Sequence, residues 1–294
     1  MTSVIQNAID AMTLGSLYAL IALGIALIFG IMQLINFAHA ELIMIGAYAL
    51  VLLTDPPLLV QIGGAILIVV VFALAMERVA FRPVRGASPA TLLVTSFALS
   101  YMLQNLAILI LGAVPKSAQL TPALAETFTI GDVSISRLDV LVVVLTIVLL
   151  VGLAGFLART PMGVQMRAAA ENFDMARLLG VRADRVIAAA FAISGVLAAI
   201  AALFLVAQRG SVGPAIGLTP VLFAFIATVV GGMGSLPGAV LGGFLLGTLS
   251  VVLQAVLPLE IRPYRDAFLF GAVMILLVLR PQGLIVPKTA QTRV

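Results

Sequence analysis

The sequence predicts an all-α polytopic membrane protein of about eight transmembrane helices (seven to nine). Three observations predict it. First, 63% of the 294 residues are hydrophobic and only 10% charged, against about 45–50% and about 25% in soluble domains. A soluble globule of this size cannot hide so much apolar surface. Second, the apolar runs are long and unbroken, as in 65–75 and 140–157. The strands of a transmembrane barrel would alternate apolar and polar residues instead. Third, the basic residues gather in short loops beside those runs, where cytoplasmic loops of membrane proteins carry them.

Nine apolar segments can be marked in order: 12–31, 35–53, 58–75, 92–111, 138–157, 187–206, 219–230, 239–257 and 267–279. A full crossing takes roughly 20 apolar residues. Segment 219–230 is too short to cross alone and reads as a broken or re-entrant helix. Residues 1–10 lack a basic region and the apolar stretch 11–34 is too long for a signal peptide, so the first segment is expected to remain in the mature protein. Arg78, Arg82 and Arg85 follow the third segment, and Arg159, Arg167, Arg177, Arg182 and Arg185 follow the fifth. Arg280, Lys288 and Arg293 follow the last. These three regions are expected to be cytoplasmic. The stretch 112–137 carries Lys116, Glu126, Asp132 and Arg137, balances to zero and reads as external. Two segments separate the first two basic regions and four separate the last two, so the orientation is self-consistent. The whole chain, 1–294, reads as one transmembrane domain.

Composition excludes several functions. With 16 basic and 12 acidic residues the net charge is +4, but loop arginines beside apolar spans point to topology, not to nucleic acid. There is no cysteine and one histidine, His39, which leaves no thiol nucleophile and no His-rich or thiolate metal site. No stretch is long enough for a nucleotide-binding domain.

Two interruptions stand out. Residues 36–41, Asn-Phe-Ala-His-Ala-Glu, place Asn36, His39 and Glu41 between two apolar runs. Asn36 is a suitable N-cap for the second helix and Glu41 suits its dipole. At membrane depth the same groups would mark a transport path. Residues 231–238, Gly-Gly-Met-Gly-Ser-Leu-Pro-Gly, break the second half. Gly231, Gly232, Gly234 and Ser235 would expose unwound backbone. Gly234, Gly238 and Gly242, like Gly243 and Gly247, recur at a spacing that lets another helix approach closely. The run lacks the lysine of a phosphate loop. Paired interruptions in two halves suggest inverted repeats around a central site, to which Ser16 adds a hydroxyl. Ser96, Ser100 and Ser194 are read as bonding to backbone or to a neighbouring helix, and His39 as a hydrogen-bonded structural group.

Residues 161–185 form the most informative polar stretch. Helix is expected over 164–179, ending at Gly180, with Met166, Ala169, Ala170, Phe173, Ala176 and Leu179 near one face. Arg167, Glu171, Asp174 and Arg177 lie elsewhere on it. A helix lying on lipid usually carries a mostly basic polar face. The mixture of acids and arginines favours a docking element for a cytoplasmic protein.

Five ordered blocks carry a family resemblance: 15–50 (GSLYALIALGIALIFGIMQLINFAHAELIMIGAYAL), 78–86 (RVAFRPVRG), 170–195 (AENFDMARLLGVRADRVIAAAFAISG), 229–247 (VVGGMGSLPGAVLGGFLLG) and 280–285 (RPQGLI). The chain resembles the branched-chain amino acid ABC transporter permeases, of the kind that forms the smaller of two membrane subunits. It departs at Ala40, where the family usually has glycine. The resemblance implies an importer half in a bacterial inner membrane, paired with a second related permease or a second copy. Two cytoplasmic ATP-binding subunits would hold the ATP and magnesium, and this chain would bind no cofactor and catalyse nothing. A periplasmic binding protein would deliver leucine, isoleucine or valine. Glu171 and Gly180 match the coupling-loop positions. Other small solutes within the same family, an ion-coupled carrier and a channel for a neutral solute are the alternatives. Against an ion-coupled carrier, the spans lack paired carboxylates or an arginine–acid relay.

Overall fold

The computed structural model describes residues 2–53, 57–118, 126–130 and 133–285. Two long helices form its centre: α1 (Thr2–Met32) and α8 (Ala183–Arg209). Both are apolar on every side, and a helix without a polar face belongs inside a bundle or in lipid. They pack on each other and on α2 (His39–Leu52), α9 (Leu218–Gly231) and α10 (Leu236–Val256). Three further long helices, α3 (Leu58–Met76), α4 (Pro89–Leu111) and α5 (Arg137–Arg159), leave most of their aliphatic surface exposed. Among the described residues, six helices are long and apolar enough to cross a membrane. Two shorter apolar helices, α2 and α9, have 14 residues each. At 1.5 Å per residue each reaches about 21 Å, short of a hydrocarbon core of roughly 30 Å. The last helix, α11 (Arg265–Leu279), has 15 residues.

Long-range contacts sort the helix ends into two groups. At one end lie the arginine-rich turns: a π-helical turn Glu77–Phe81 and a 3-10 turn Arg82–Val84 after α3, then α6 (Pro161–Glu171) and α7 (Phe173–Leu178) after α5. Arg82 and Arg85 pair with Asp184 at the start of α8. Leu284 and Ile285 reach the same end, donating to the carbonyls of Val230 (2.8 Å) and Gly231 (3.0 Å). At the other end β1 (Lys116–Ser117) pairs with β4 (Ser211–Val212), and β2 (Thr127–Ile130) forms a hairpin with β3 (Val133–Ser136). These strands add to the expected all-helical fold. The Ser134 amide donates to Gln6 Oε1 at 3.2 Å, which ties the start of α1 to the hairpin. The charge-based pairing of basic and neutral ends therefore agrees with which ends meet.

Glycines set the tightest contacts. Gly243 and Gly247 of α10 lie directly on Ala19 and Gly15 of α1, and Gly242 and Gly238 lie on Ala227 and Gly231 of α9. The four-residue spacing therefore serves two neighbours, one on each face of α10.

Two expectations are corrected here. Residues 164–179 do not form one helix. Asn172 is extended (φ −153°, ψ 103°) and separates α6 from α7, and its Oδ1 accepts from the Met175 amide at 2.9 Å. Asparagine competes with the helix for its own backbone and is at its best as a cap. Leu179 also leaves the buried face and is 80% exposed. Gly180, at φ +88°, ends α7 as expected, with Gly180 N–H on the Arg177 carbonyl and Val181 N–H on that of Ala176.

Candidate functional site

The polar interruption after α1 lies deep in the bundle. Gln33 takes φ +54°, its amide still bonded to the Phe29 carbonyl, and ends α1. The chain then turns back through Asn36 and Phe37 into α2. Asn36 is not the cap: that position is Ala38, without a side-chain bond. Two turn residues intervene, so Asn36 sits too early to reach the first free amides. Its side chain is instead buried, with neither Oδ1 nor Nδ2 partnered among the described residues.

His39 is fully enclosed between α1 and α8. Its Nδ1 lies 3.2 Å from Ser194 Oγ, near the middle of the 27-residue α8. Ser194 Oγ also donates to the Gly24 carbonyl at 3.2 Å. The hydroxyl has one proton, so with that proton on Gly24 the His39 Nδ1 must donate to Ser194. A Cβ at Gly24 would stand 3.0 Å from His39 Cε1. A side chain at position 24 would press directly on the imidazole.

Glu41 is 2% exposed. Ser100 Oγ of α4 donates to its Oε1 at 2.8 Å, and Oε2 has no partner among the described residues. One turn earlier, the Ser96 hydroxyl shares its one proton between the Leu93 carbonyl of its own helix (2.8 Å) and the Ile35 carbonyl (3.2 Å). One turn later, Gln104 Nε2 reaches the Pro214 carbonyl at 3.5 Å. Ser96, Ser100 and Gln104 thus form an i, i+4, i+8 stripe that holds both irregular segments. Gln104 was missed from sequence, although a polar residue every fourth position in an apolar span is a readable signal. Phe37 stacks on Phe97 of α4 (4.3 Å between centroids) and tilts against Phe225 of α9 (5.6 Å).

The N-termini of the two short helices meet here. Gly217, which caps α9, lies against the Ala40 carbonyl in the first turn of α2. From this point α9 runs to the arginine-rich end, while α2 packs on β4 at the hairpin end. The mid-bundle counterpart of 36–41 is therefore the segment before α9, not the expected 231–238. Gly231, Gly232, Gly234 and Ser235 lie at the arginine-rich end instead. Ser235 caps α10, accepting from the Gly238 amide at 3.1 Å. Gly232 (φ +109°) lies on the Ile285 carbonyl. Residues 280–285 thus close the exposed carbonyl end of α9, a role the sequence did not announce. Ser16, fully buried and unpartnered among the described residues, lies about two turns of α1 beyond Gly24 toward the hairpin end. The eight expected path residues thus occupy three levels: Asn36, His39 and Glu41 at mid-bundle, Gly231, Gly232, Gly234 and Ser235 at the arginine-rich end, and Ser16 by itself.

The expected coupling residues stay together. Arg167 and Glu171 on α6 and Asp174 and Arg177 on α7 are all exposed at the arginine-rich end. Met166, Ala169 and Ala176 anchor the segment inward. Met175, Leu178 and Leu179 are exposed beside the charges. Gly163 is pressed against the backbone of Phe156 and Leu157, which ties α6 to the end of α5.

The geometry thus consists of a polar junction midway along an apolar bundle and an exposed helical segment tied to its base. A family model described as branched-chain amino acid transport system / permease component matches residues 7–278. The chain is 36% identical over 96% of its length to the high-affinity branched-chain amino acid transport system permease protein BraD of Pseudomonas aeruginosa, covering 95% of that protein. It is likewise 36% identical to the permease protein LivH of Escherichia coli K12, over 96% of this chain and 95% of LivH. A xylose transport system permease, XylH of E. coli, is 34% identical over 47% of this chain and 35% of its own. With a family model spanning nearly all of the bundle, this multi-pass membrane protein belongs to the branched-chain amino acid transport system permease components.

Proposed function

We propose that the chain is a transmembrane permease subunit of an ABC importer that moves leucine, isoleucine or valine inward across the bacterial inner membrane. Its end-to-end similarity to permeases named for branched-chain amino acids carries this reading. It pairs with a second related permease or a second copy. Two cytoplasmic ATP-binding subunits hold the nucleotide and magnesium, and a periplasmic binding protein delivers the cargo. The chain itself binds no cofactor.

Alternating access then works on the parts described. The ATPases close and push α6–α7 through Arg167, Glu171, Asp174 and Arg177, and Gly180 lets that segment turn into α8 without strain. The push reaches Gly234 and Ser235, which share a cavity with α6, and α1 and α8, which carry the His39 junction. The head-to-head short helices act as two inverted halves that rock about Asn36, His39 and Glu41. The path is mainly apolar, which suits aliphatic cargo. Asn36 and Ser16 offer unpartnered polar groups to the cargo's charged ends.

The test is reconstitution with the ATPase subunits, the second permease and the binding protein in vesicles. Glu171→Arg is expected to abolish most uptake and most transport-coupled ATP hydrolysis, with normal amounts of the chain in the membrane. Normal uptake by that variant would remove the coupling assignment. Leucine uptake by this chain alone would sink the importer reading.

A further inference from the structure

A cavity of about 340 Å³ opens at the arginine-rich end between α1, α6 and the Gly234–Pro237 turn. Its size lies in the range of small-molecule pockets, about 300–1,000 Å³. The walls are apolar: Ala26, Leu27 and Ile31 of α1, Leu157 of α5 and Met166 of α6. Two charged side chains stand at its edge, Arg167 and Glu171. They are four residues apart on α6 and therefore neighbours on one face. Neither forms an ion pair among the described residues. The one bond of Arg167 is a 3.5 Å contact to the Ala158 carbonyl. An aliphatic pocket with an unpaired cation and an unpaired anion side by side fits an aliphatic zwitterion.

We propose that this cavity binds a free aliphatic amino acid from the cytoplasmic side, its carboxylate on Arg167 and its ammonium group on Glu171, and that the bound molecule holds α6 against the Gly234–Pro237 turn. Resting on the importer reading, this makes the cavity a product site: accumulated cargo restrains the lever that drives its own uptake. Both charged residues serve the lever, so binding and motion compete for the same groups. The side chain of the amino acid fills the space beside Gly30. A Cβ there would meet nothing closer than the Gly234 carbonyl oxygen at 3.9 Å and Ala170 Cβ at 4.0 Å.

The complete complex in vesicles tests this. Uptake of external leucine into empty vesicles first establishes the importer reading, separately from the site. Leucine at millimolar concentration trapped inside is then expected to slow the initial rate at least threefold. The leucine analogues 4-methylpentanoate and 3-methylbutylamine, each lacking one charged end, are expected to leave the rate unchanged at the same concentration. Gly30→Leu, which fills the cavity, is expected to make the rate independent of trapped leucine. An unchanged rate with trapped leucine would overturn the site, as would equal slowing by either analogue. So would a Gly30→Leu complex as sensitive as the wild type. If Gly30→Leu fails to assemble, the analogue series on the wild-type complex decides.

Discussion

A single missing side chain, that of Gly24, makes room for the only histidine. A bulkier residue would push into His39 and Ser194, whose nearest atoms lie 3.0–3.3 Å from the added Cβ. Overpacking of this kind costs about 1–3 kcal/mol. Gly24→Val is therefore expected to lower the melting temperature of the detergent-purified chain, and an unchanged melting curve would show that the junction yields freely. Glu41 depends on Ser100 in a similar way. Ser100→Ala leaves a buried carboxylate oxygen without its donor, at a cost of about 1–3 kcal/mol. Ser100→Thr keeps the hydroxyl and is expected to recover most of that loss in the same measurement. At this scale the sequence shows which residues are unusual for their surroundings, because an imidazole and a carboxylate between apolar runs need no structure to be noticed. Their partners are another matter. Ser194 lies 155 positions from His39 and Ser100 lies 59 from Glu41, and nothing in local spacing brings them together.

Glycines in these helices fall into two kinds that look alike in the sequence. Gly247 lies on the backbone of Gly15, whereas Gly155 of α5 has nothing within 4 Å of an added Cβ. Gly247→Val must force α1 and α10 apart, and folded protein is expected to be lost from the membrane fraction. Gly155→Ala removes only backbone freedom and is expected to be neutral or to stabilise by up to about 1 kcal/mol. Equal recovery of both variants from detergent would refute the packing assignment. The break at Asn172 is the second element-scale feature. Its cap to Met175 holds the start of α7, and Asn172→Ala is expected to cost about 1 kcal/mol. Faster amide exchange confined to 173–179 would report that loss; unchanged exchange would assign the break to other contacts. The helix ends at Ser88, Ser136, Thr160 and Gly180 follow from local chemistry and are legible: each is a capping residue or a glycine at its usual place. The split at Asn172 is less so, because asparagine inside an amphipathic pattern is read as helix until its side chain is seen bonding forward.

Across the whole molecule, one charged cluster ties the first arginine-rich turn to the base of α8. Glu77 is almost fully buried and pairs with Arg85, while Arg85 and Arg82 also reach the exposed Asp184. Exposed pairs are screened by water, but removing one partner of a buried pair strands the other. Asp184→Asn is expected to change stability little. Arg85→Ala, which strands the buried Glu77, is expected to cost several times more, on the order of 3–5 kcal/mol, read as a fall in melting temperature and in uptake. A ranking in the opposite order would mean that the tie from the arginines to Asp184 of α8 outweighs the buried pair within the turn. The sequence by itself determined the class of the fold, the grouping of basic ends, the family and the exposed charged segment after α5. Each of these follows from composition or from patterns within a few tens of residues, because lipid demands long apolar helices and loops keep their arginines on one side. Only the tertiary structure decided that α2 and α9 meet at their N-termini, that the glycine-rich turn belongs at the arginine-rich end, and that residues 280–285 close α9. Those facts depend on which distant backbones can approach closely, and that is settled by three-dimensional packing among many equally apolar surfaces.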